Sequence, residues 1–135
     1  MKEQLNRENI EALANYRFQR AEETLKEIPY LKQRGYYNTA VNRLYYACYY
    51  AAVALLIKHE VNPGTHSGVK QMIGLHFVAT GRLSRELGRC FSLLFERRHS
   101  SDYDDFAYSN EEEIDELMPK ATAFIEAVGG LLKEQ

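Results

Sequence analysis

An arginine and two groups that can exchange protons end a predicted helix in the second half of the chain. Arg98 is followed by Asp102 four residues later and by Tyr103 five residues later. A guanidinium binds phosphate through paired N–H donors, whereas a carboxyl or a phenol can exchange a proton when its surroundings shift its pKa. We therefore predict an anion-binding site here, with Arg98, Asp102 and Tyr103 as candidate catalytic residues.

The helix face that leads to Arg98 is apolar. At 100° per residue, the apolar side chains that share this face are Leu87, Phe91, Leu94 and Phe95. Arg98 and Asp102 continue the same line, and charges that continue an apolar face are typical of functional sites. Two interpretations stay open: the two residues form a partly buried ion pair, or the face opens into a cleft where Arg98 holds an anion such as phosphate.

A second arginine stands in a tyrosine-rich segment. Arg43 shares one side of a predicted helix with Tyr46 and Tyr50. Tyrosine rings can stack on nucleic-acid bases while an arginine holds phosphate. We predict Arg43, Tyr46, Tyr50 and Arg98 as ligand-binding residues, and the alternative for Arg43 is an ordinary surface position.

Other kinds of chemistry have little support in the sequence. The four histidines show no metal-ligand spacing, and the two cysteines lie inside predicted helices as small hydrophobic residues. No glycine-rich phosphate loop and no nucleophile elbow is present. We predict that the protein uses no metal and no cofactor.

The composition indicates one soluble domain that covers residues 1–135. The net charge of −2 gives no overall basic surface, so any contact with nucleic acid must depend on a local patch. The longest uncharged apolar run, residues 44–57, is shorter than the roughly 20 residues of a membrane span. The polar N-terminus does not resemble a signal peptide. We expect a cytoplasmic protein without membrane contact.

The spacing of apolar residues predicts helices and no strands. The helices are expected at about residues 7–28, 37–59, 68–79, 84–100 and 110–133. The second is apolar nearly all round, as is typical of a central helix. Residues 102–108 are expected to form an ordered loop or a distorted last turn. The fold class is all-α, an antiparallel bundle of about five helices with short connections.

Capping signals and prolines set the expected boundaries of these helices. Pro29 should end or bend the first helix, and Pro119 should bend the last. The third helix is expected to begin at Thr65 or Ser67 and the fourth at Ser84. Ser109 and Glu112 are three residues apart, and this spacing predicts a capping box for the fifth helix.

Four short segments, in order, resemble the small prokaryotic HEPN domains. They are AVNRLYYA at residues 40–47, THSGV at residues 65–69, FVATG at residues 77–81, and Arg98 followed by Asp102-Tyr103. The resemblance covers about residues 36–106. It implies a helical homodimer whose two copies of the fourth helix line a shared cleft, often in partnership with a minimal nucleotidyltransferase.

In ribonuclease members of that family, the resemblance implies an arginine and a histidine four to six residues later, which cleave RNA without a metal. Arg98 matches the arginine, but Asp102 and Tyr103 occupy the positions where the histidine is expected. His99 would point about 100° away from Arg98 on a helix and does not replace it. A free aspartate titrates near pH 4 and a free tyrosine near pH 10, so both are poorer proton carriers at neutral pH.

Three hypotheses therefore stand. The protein is a homodimer that binds RNA or a nucleotide in its cleft, or docks a minimal nucleotidyltransferase. Alternatively, it is an active metal-independent ribonuclease toxin that uses Arg98, Asp102 and Tyr103. In the third hypothesis it is a structural dimer without a ligand, in which Arg98 and Asp102 fix helix packing.

Overall fold

The computed structural model describes residues 2–103 and 109–134, with side chains described for residues 6–98 and 109–134. The elements are α1 (Lys2–Gln33), α2 (Tyr37–Lys58), α3 (His66–Ile73), a π-helical turn (Gly74–Val78), α4 (Arg85–Tyr103) and α5 (Glu111–Leu132). The described residues contain no strand. The predicted all-α bundle of five helices is confirmed.

Helix α2 is the centre of the bundle, as its sequence predicts. It packs against α1, α3, α4 and α5. Half of its 22 residues are buried, among them Leu44, Tyr45 and Leu55. Among the described residues α2 is also the one helix long and apolar enough to cross a membrane, but 61% of that window is buried inside the bundle. Its apolar character therefore fits a core helix.

Helix α1 is longer than predicted, because it continues through Pro29 to Gln33. A proline inside a helix removes one backbone hydrogen bond. Tertiary contacts offset this loss: Ile28 is buried, and the Lys32 ammonium lies 2.5 Å from the Asp115 carboxylate on α5. The chain then turns at Gly35, whose φ of +79° is readily adopted by glycine.

Side chains cap the N-termini of three helices, α3, α4 and α5. The Thr65 hydroxyl accepts a hydrogen bond from the amide of Gly68 at 2.9 Å, and the Ser84 hydroxyl accepts one from Leu87 at 3.1 Å. Both positions agree with the predicted caps. At α5 the predicted capping box was wrong by one residue, since Asn110 accepts from the amide of Glu113 at 2.8 Å.

Ser109 has another role, which explains the shift of the α5 cap. Its hydroxyl accepts a hydrogen bond from the Arg97 guanidinium at 2.8 Å, and its amide donates to the Asn38 side chain at 2.7 Å. Ser109 therefore joins α4, α2 and the start of α5. Arg97 also contacts the Glu113 carboxylate at 2.5 Å. These contacts fix the part of α4 that carries Arg98.

Candidate functional site

Arg98 lies on the aromatic core of the bundle. Its guanidinium carbon is 5.5 Å from the centre of the Tyr45 ring on α2, within the range of a cation–π contact. Tyr45 is fully buried, and Arg98 is half-buried. The apolar face of α4 that precedes Arg98 is buried at Phe91 and Leu94, as its spacing predicts. The structure thus places a positive charge at the edge of the core.

A histidine from another helix contacts the same tyrosine. The Tyr45 hydroxyl lies 2.9 Å from Nδ1 of His66, the first residue of α3. The His66 ring also stacks on Tyr49, with ring centres 4.2 Å apart and planes 10° apart. We call Arg98, Tyr45, Tyr49 and His66 the Arg98 cluster. It combines a cation, a hydroxyl and an imidazole, which are groups suited to phosphate binding and proton transfer.

The ionisation of the tyrosines follows from burial. Burial raises the pKa of Tyr45 well above its ordinary value of 10, although the positive charge of Arg98 opposes the rise. Burial also raises the pKa of Tyr49. The Tyr45 hydroxyl therefore keeps its proton at neutral pH and can either donate to or accept from His66.

The predicted ligand-binding residues of α2 extend this cluster toward α1. The Tyr46 ring lies 5.1 Å from Tyr45 and 6.0 Å from Tyr50, measured between ring centres. Arg43 lies 5.8 Å from the centre of the Tyr46 ring, and its Nε is 3.5 Å from the Glu27 carboxylate. Arg43 thus has an ion-pair partner on α1, and its role in ligand binding stays a prediction.

Arg17 on α1 is a further cation near the Arg98 cluster. Its Nε is buried and has no hydrogen-bond partner among the described residues. Its positive charge opposes the rise in the pKa of Tyr49, so it acts on the ring that His66 stacks on. A buried N–H without a partner is costly, and bound anions are one way to satisfy such a donor.

Contacts join Arg98 to Tyr45 and Tyr45 to Tyr46, and Tyr46 contacts both Tyr50 and Arg43. Helix α4 continues to Tyr103, so Asp102 and Tyr103 belong to its last turn. Their side chains lie outside the described part of the structure, as does that of His99. The roles assigned to Asp102 and Tyr103 therefore stay predictions.

The sequence predictions missed Tyr45, Tyr49, His66 and Arg17 as site residues. Tyr45 and Tyr49 are four residues apart and share a face of α2, which could have suggested that they act together. His66 belongs to the THSGV segment of the family resemblance, but the sequence predictions gave it no chemical role. Its contact with Tyr45 joins residues that are 21 positions apart, and spacing along one helix cannot reveal such a contact.

A separate groove lies on the other side of α4. It has a volume of about 460 Å³ and is lined by residues of α3, the π-helical turn and α4, including Lys70, Ile73, Arg85 and Arg89. Arg89 is exposed there. This groove is distinct from the Arg98 cluster, because on a helix Arg89 and Arg98 point to opposite sides.

Comparisons with known proteins agree with the fold and with the resemblance in sequence. Residues 14–132 match the HEPN domain. The chain is 33% identical over 124 residues to a UPF0332 protein of Thermotoga maritima, which covers 92% of this chain and 94% of that protein. It is 36% identical over 128 residues to a Methanocaldococcus jannaschii protein named "Putative toxin MJ0605", covering 95% of this chain and 92% of that protein.

The solved structure of an archaeal HEPN homologue has the same fold. It covers 89% of this chain and 98% of its own, with a TM-score of 0.69 and 22% sequence identity. A central apolar helix that packs against the four others agrees with that fold. The chain belongs to the HEPN domain family.

Proposed function

We propose that this protein is an RNA-binding HEPN toxin that acts as a homodimer, with two copies of α4 lining a shared cleft. The observation that carries the proposal is the position of Arg98, held 5.5 Å over the Tyr45 ring beside His66. A guanidinium fixed next to aromatic rings can bind an RNA phosphate while neighbouring rings contact the bases.

The charge distribution supports a short binding site. The net charge is −2, and each phosphate contact needs a lysine or an arginine. Arg98 lies on the Tyr45 ring, and the positive charges of Arg98 and Arg17 both act on Tyr49. This arrangement fits a few nucleotides of a single strand better than a long duplex.

The names of two relatives support the toxin role. The chain is 36% and 34% identical to two Methanocaldococcus jannaschii proteins whose names both begin "Putative toxin", over 95% and 79% of its length. The resemblance to small HEPN domains adds a minimal nucleotidyltransferase as the proposed partner. Such a pair would act in the cytoplasm, where RNA is the available target.

Binding of a short labelled RNA, measured by fluorescence anisotropy, tests the proposal. We expect Arg98→Ala to weaken binding by about tenfold or more and to lower the salt dependence by about one phosphate contact. Arg89→Ala, on the opposite side of the same helix, is the matched control and should bind as the parent does. Light scattering and circular dichroism would verify that the variants keep the dimer and the fold.

Two results would contradict the proposal. The parent could fail to bind RNA, or Arg98→Ala and Arg89→Ala could bind equally well. Either result would favour the structural alternative, in which the contact of Arg98 with Tyr45 only fixes helix packing. As a test in cells, expression of the parent should slow growth of a host, and Arg98→Ala or a co-expressed nucleotidyltransferase partner should relieve the effect.

A further inference from the structure

We propose that the groove between α3, the π-helical turn and α4 binds an acidic, apolar segment of a protein partner. The groove is separate from the Arg98 cluster, and the inference does not depend on the proposed RNA binding. The groove has a volume of about 460 Å³, and its buried lining includes Ile73 and Phe91. Among the described residues, the cations that line it are Lys70, Arg85 and Arg89. An apolar lining with a few charged groups is typical of a binding site.

One row of side chains on α4 gives the groove a defined charge pattern. Arg85, Arg89 and Leu93 follow each other at intervals of four residues, so they share one face of the helix over about 12 Å. All three line the groove, and Leu93 is 46% exposed. Glu96, which lies 3.9 Å from Lys70, lines the same groove. Along α4, the groove therefore passes from two positive charges through an apolar side chain to a negative charge.

The two arginines of this row are available to a partner. Both are exposed, and neither makes an ion pair or a hydrogen bond with another side chain in the described part of the chain. Other surface cations are paired: Arg82 lies 3.2 Å from the Glu134 carboxylate, and Lys120 lies 3.6 Å from that of Glu116. The groove therefore presents positive charge that the described fold does not neutralise.

The positions of these arginines do not stabilise the isolated helix. Arg85 is the first residue of α4, where a positive charge opposes the helix dipole. Arg89 lies one turn later, and like charges four residues apart on a helix repel each other. Bound carboxylates would offset both effects. Charges that cost stability in the free chain while lining a groove are typical of a binding surface.

The wall formed by α3 and the π-helical turn also departs from a regular helix. The π-helical turn begins at Gly74, and such turns are frequent at functional sites. The backbone of Gly74 is helical, with φ −60° and ψ −48°, so its conformation does not require glycine. A Cβ atom there would meet no atom within 4 Å. Glycine is a poor helix former, and at this position it leaves open space at the wall of the groove.

The charge pattern selects the kind of partner. Carboxylates fit the two arginines, and an apolar side chain fits Leu93 and the buried lining. An RNA strand carries a phosphate at every nucleotide, so it would meet the negative charge of Glu96 at the end of the row. A small anion would leave the apolar part of the row uncovered. The occupant is therefore a peptide segment in which acidic residues are followed by an apolar one.

A panel of labelled synthetic peptides tests this inference with the intact protein. All peptides have one length and place glutamates, lysines or serines before the same leucines. Fluorescence anisotropy should show that the parent binds the glutamate peptides at least about tenfold more tightly than the lysine peptides. Arg85→Glu should lose this preference. Arg34→Glu makes the same charge change at an exposed residue outside the groove, and it should keep the preference.

A charge swap separates a lost contact from a damaged fold. The double variant Arg85→Glu, Arg89→Glu should bind the lysine peptides in place of the glutamate peptides, which a misfolded protein would not do. In the absence of peptide, Arg85→Glu should raise Tm by about 2–4 °C, because it removes the repulsion of Arg89 and complements the helix dipole.

The outcomes separate this inference from the proposed function. It would be overturned if the parent showed no preference for the glutamate peptides, if Arg85→Glu and Arg34→Glu bound them equally, or if the double variant did not bind the lysine peptides. A larger loss of RNA binding in Arg85→Glu than in Arg34→Glu would assign the groove to nucleic acid and would also overturn it. Failure of the parent to bind RNA would remove the proposed function alone.

Discussion

Two histidines that lie against different parts of α2 show how the partner of a ring nitrogen sets the protonation states that a contact allows. His59 follows the last turn of α2, where its Nδ1 lies 3.0 Å from the carbonyl of Leu55 and its Nε2 lies 3.2 Å from the Arg82 guanidinium. A guanidinium only donates, so Nε2 of His59 must accept, and its proton must be on Nδ1. These contacts need the neutral ring.

His66 has no such restriction at Nδ1, because its partner there is a hydroxyl. The Tyr45 oxygen can donate or accept, so this contact permits both protonation states. His59 therefore suits a fixed structural contact, whereas the Tyr45 contact of His66 is compatible with either protonation state. The partner of the ring nitrogen, more than the presence of an arginine nearby, distinguishes the two sites.

The largest effect is expected for Tyr45→Phe. This change removes the hydroxyl that holds His66 but keeps an aromatic ring under Arg98. We expect the free energy of unfolding to fall by about 2 kcal/mol, because the His66 imidazole loses its hydrogen bond with the Tyr45 hydroxyl. RNA affinity should be nearly unchanged, since Arg98 still binds phosphate. Tyr49→Phe keeps the ring that stacks on His66 and is the control. An equal loss of stability in the two variants, measured by urea unfolding, would contradict the expectation.

The stability of the protein at alkaline pH tests the burial of Tyr45 directly. Burial raises the pKa of Tyr45 above its ordinary value of 10, so above pH 10 the unfolded chain releases a proton that the folded chain retains. Stability should fall with rising pH above 10, by up to about 1.4 kcal/mol per pH unit from this group. Below pH 10 this group should contribute no slope.

Urea unfolding of the parent and Tyr45→Phe at pH values on both sides of 10 measures that contribution. The cysteines and Tyr49, whose pKa values are also raised by burial, are present in both proteins. Their contributions cancel in the difference. Equal slopes above pH 10 would show that Tyr45 ionises as easily in the folded protein as in the unfolded chain.

At the C-terminal end of α2, His59→Ala should affect stability alone. It removes the contacts with Leu55 and Arg82 and the edge-on packing of His59 on Phe77, whose ring centre is 5.0 Å away. We expect a loss of about 1 kcal/mol, or a few degrees in Tm, with no change in RNA binding. A loss of RNA binding with the fold intact would contradict a purely structural role of His59.

The smallest effect is expected for Glu134→Gln. The Glu134 carboxylate lies 3.2 Å from Arg82, and its side chain is more than half exposed. Exposed ion pairs contribute a few tenths of a kcal/mol and are weakened by salt. Thermal unfolding at low and high salt should show a small difference that disappears at high salt. A difference that persists at high salt would mean that the contact is shielded from solvent.

Much of the fold could be predicted from local signals. The bounds of α2, the caps at Thr65 and Ser84 and the buried face of α4 follow from apolar spacing and capping residues. The errors arose where tertiary contacts overrode a local rule. Packing and the Lys32 ion pairs stabilise the part of α1 that follows Pro29. The Ser109 hydroxyl binds Arg97, and Asn110 caps α5 in its place.

The candidate site was only partly predictable, for a related reason. Arg98 was identified because a charge continues an apolar helix face, which is a signal within one helix. The contact of His66 with Tyr45 joins α3 to α2 and depends on how these helices pack. No pattern within either segment specifies that contact, so the imidazole of the Arg98 cluster required the three-dimensional structure.

The central place of α2 also has a consequence for the order in which the protein is made. Helix α5 covers part of α2, and the Lys58 ammonium at the end of α2 donates to the backbone carbonyls of Leu132 and Glu134. Roughly 50 residues separate the two helices in the chain. At cellular rates of synthesis, about 3–10 s therefore pass between the synthesis of α2 and the start of α5. During those seconds its apolar surface is open to chaperones and to other nascent chains.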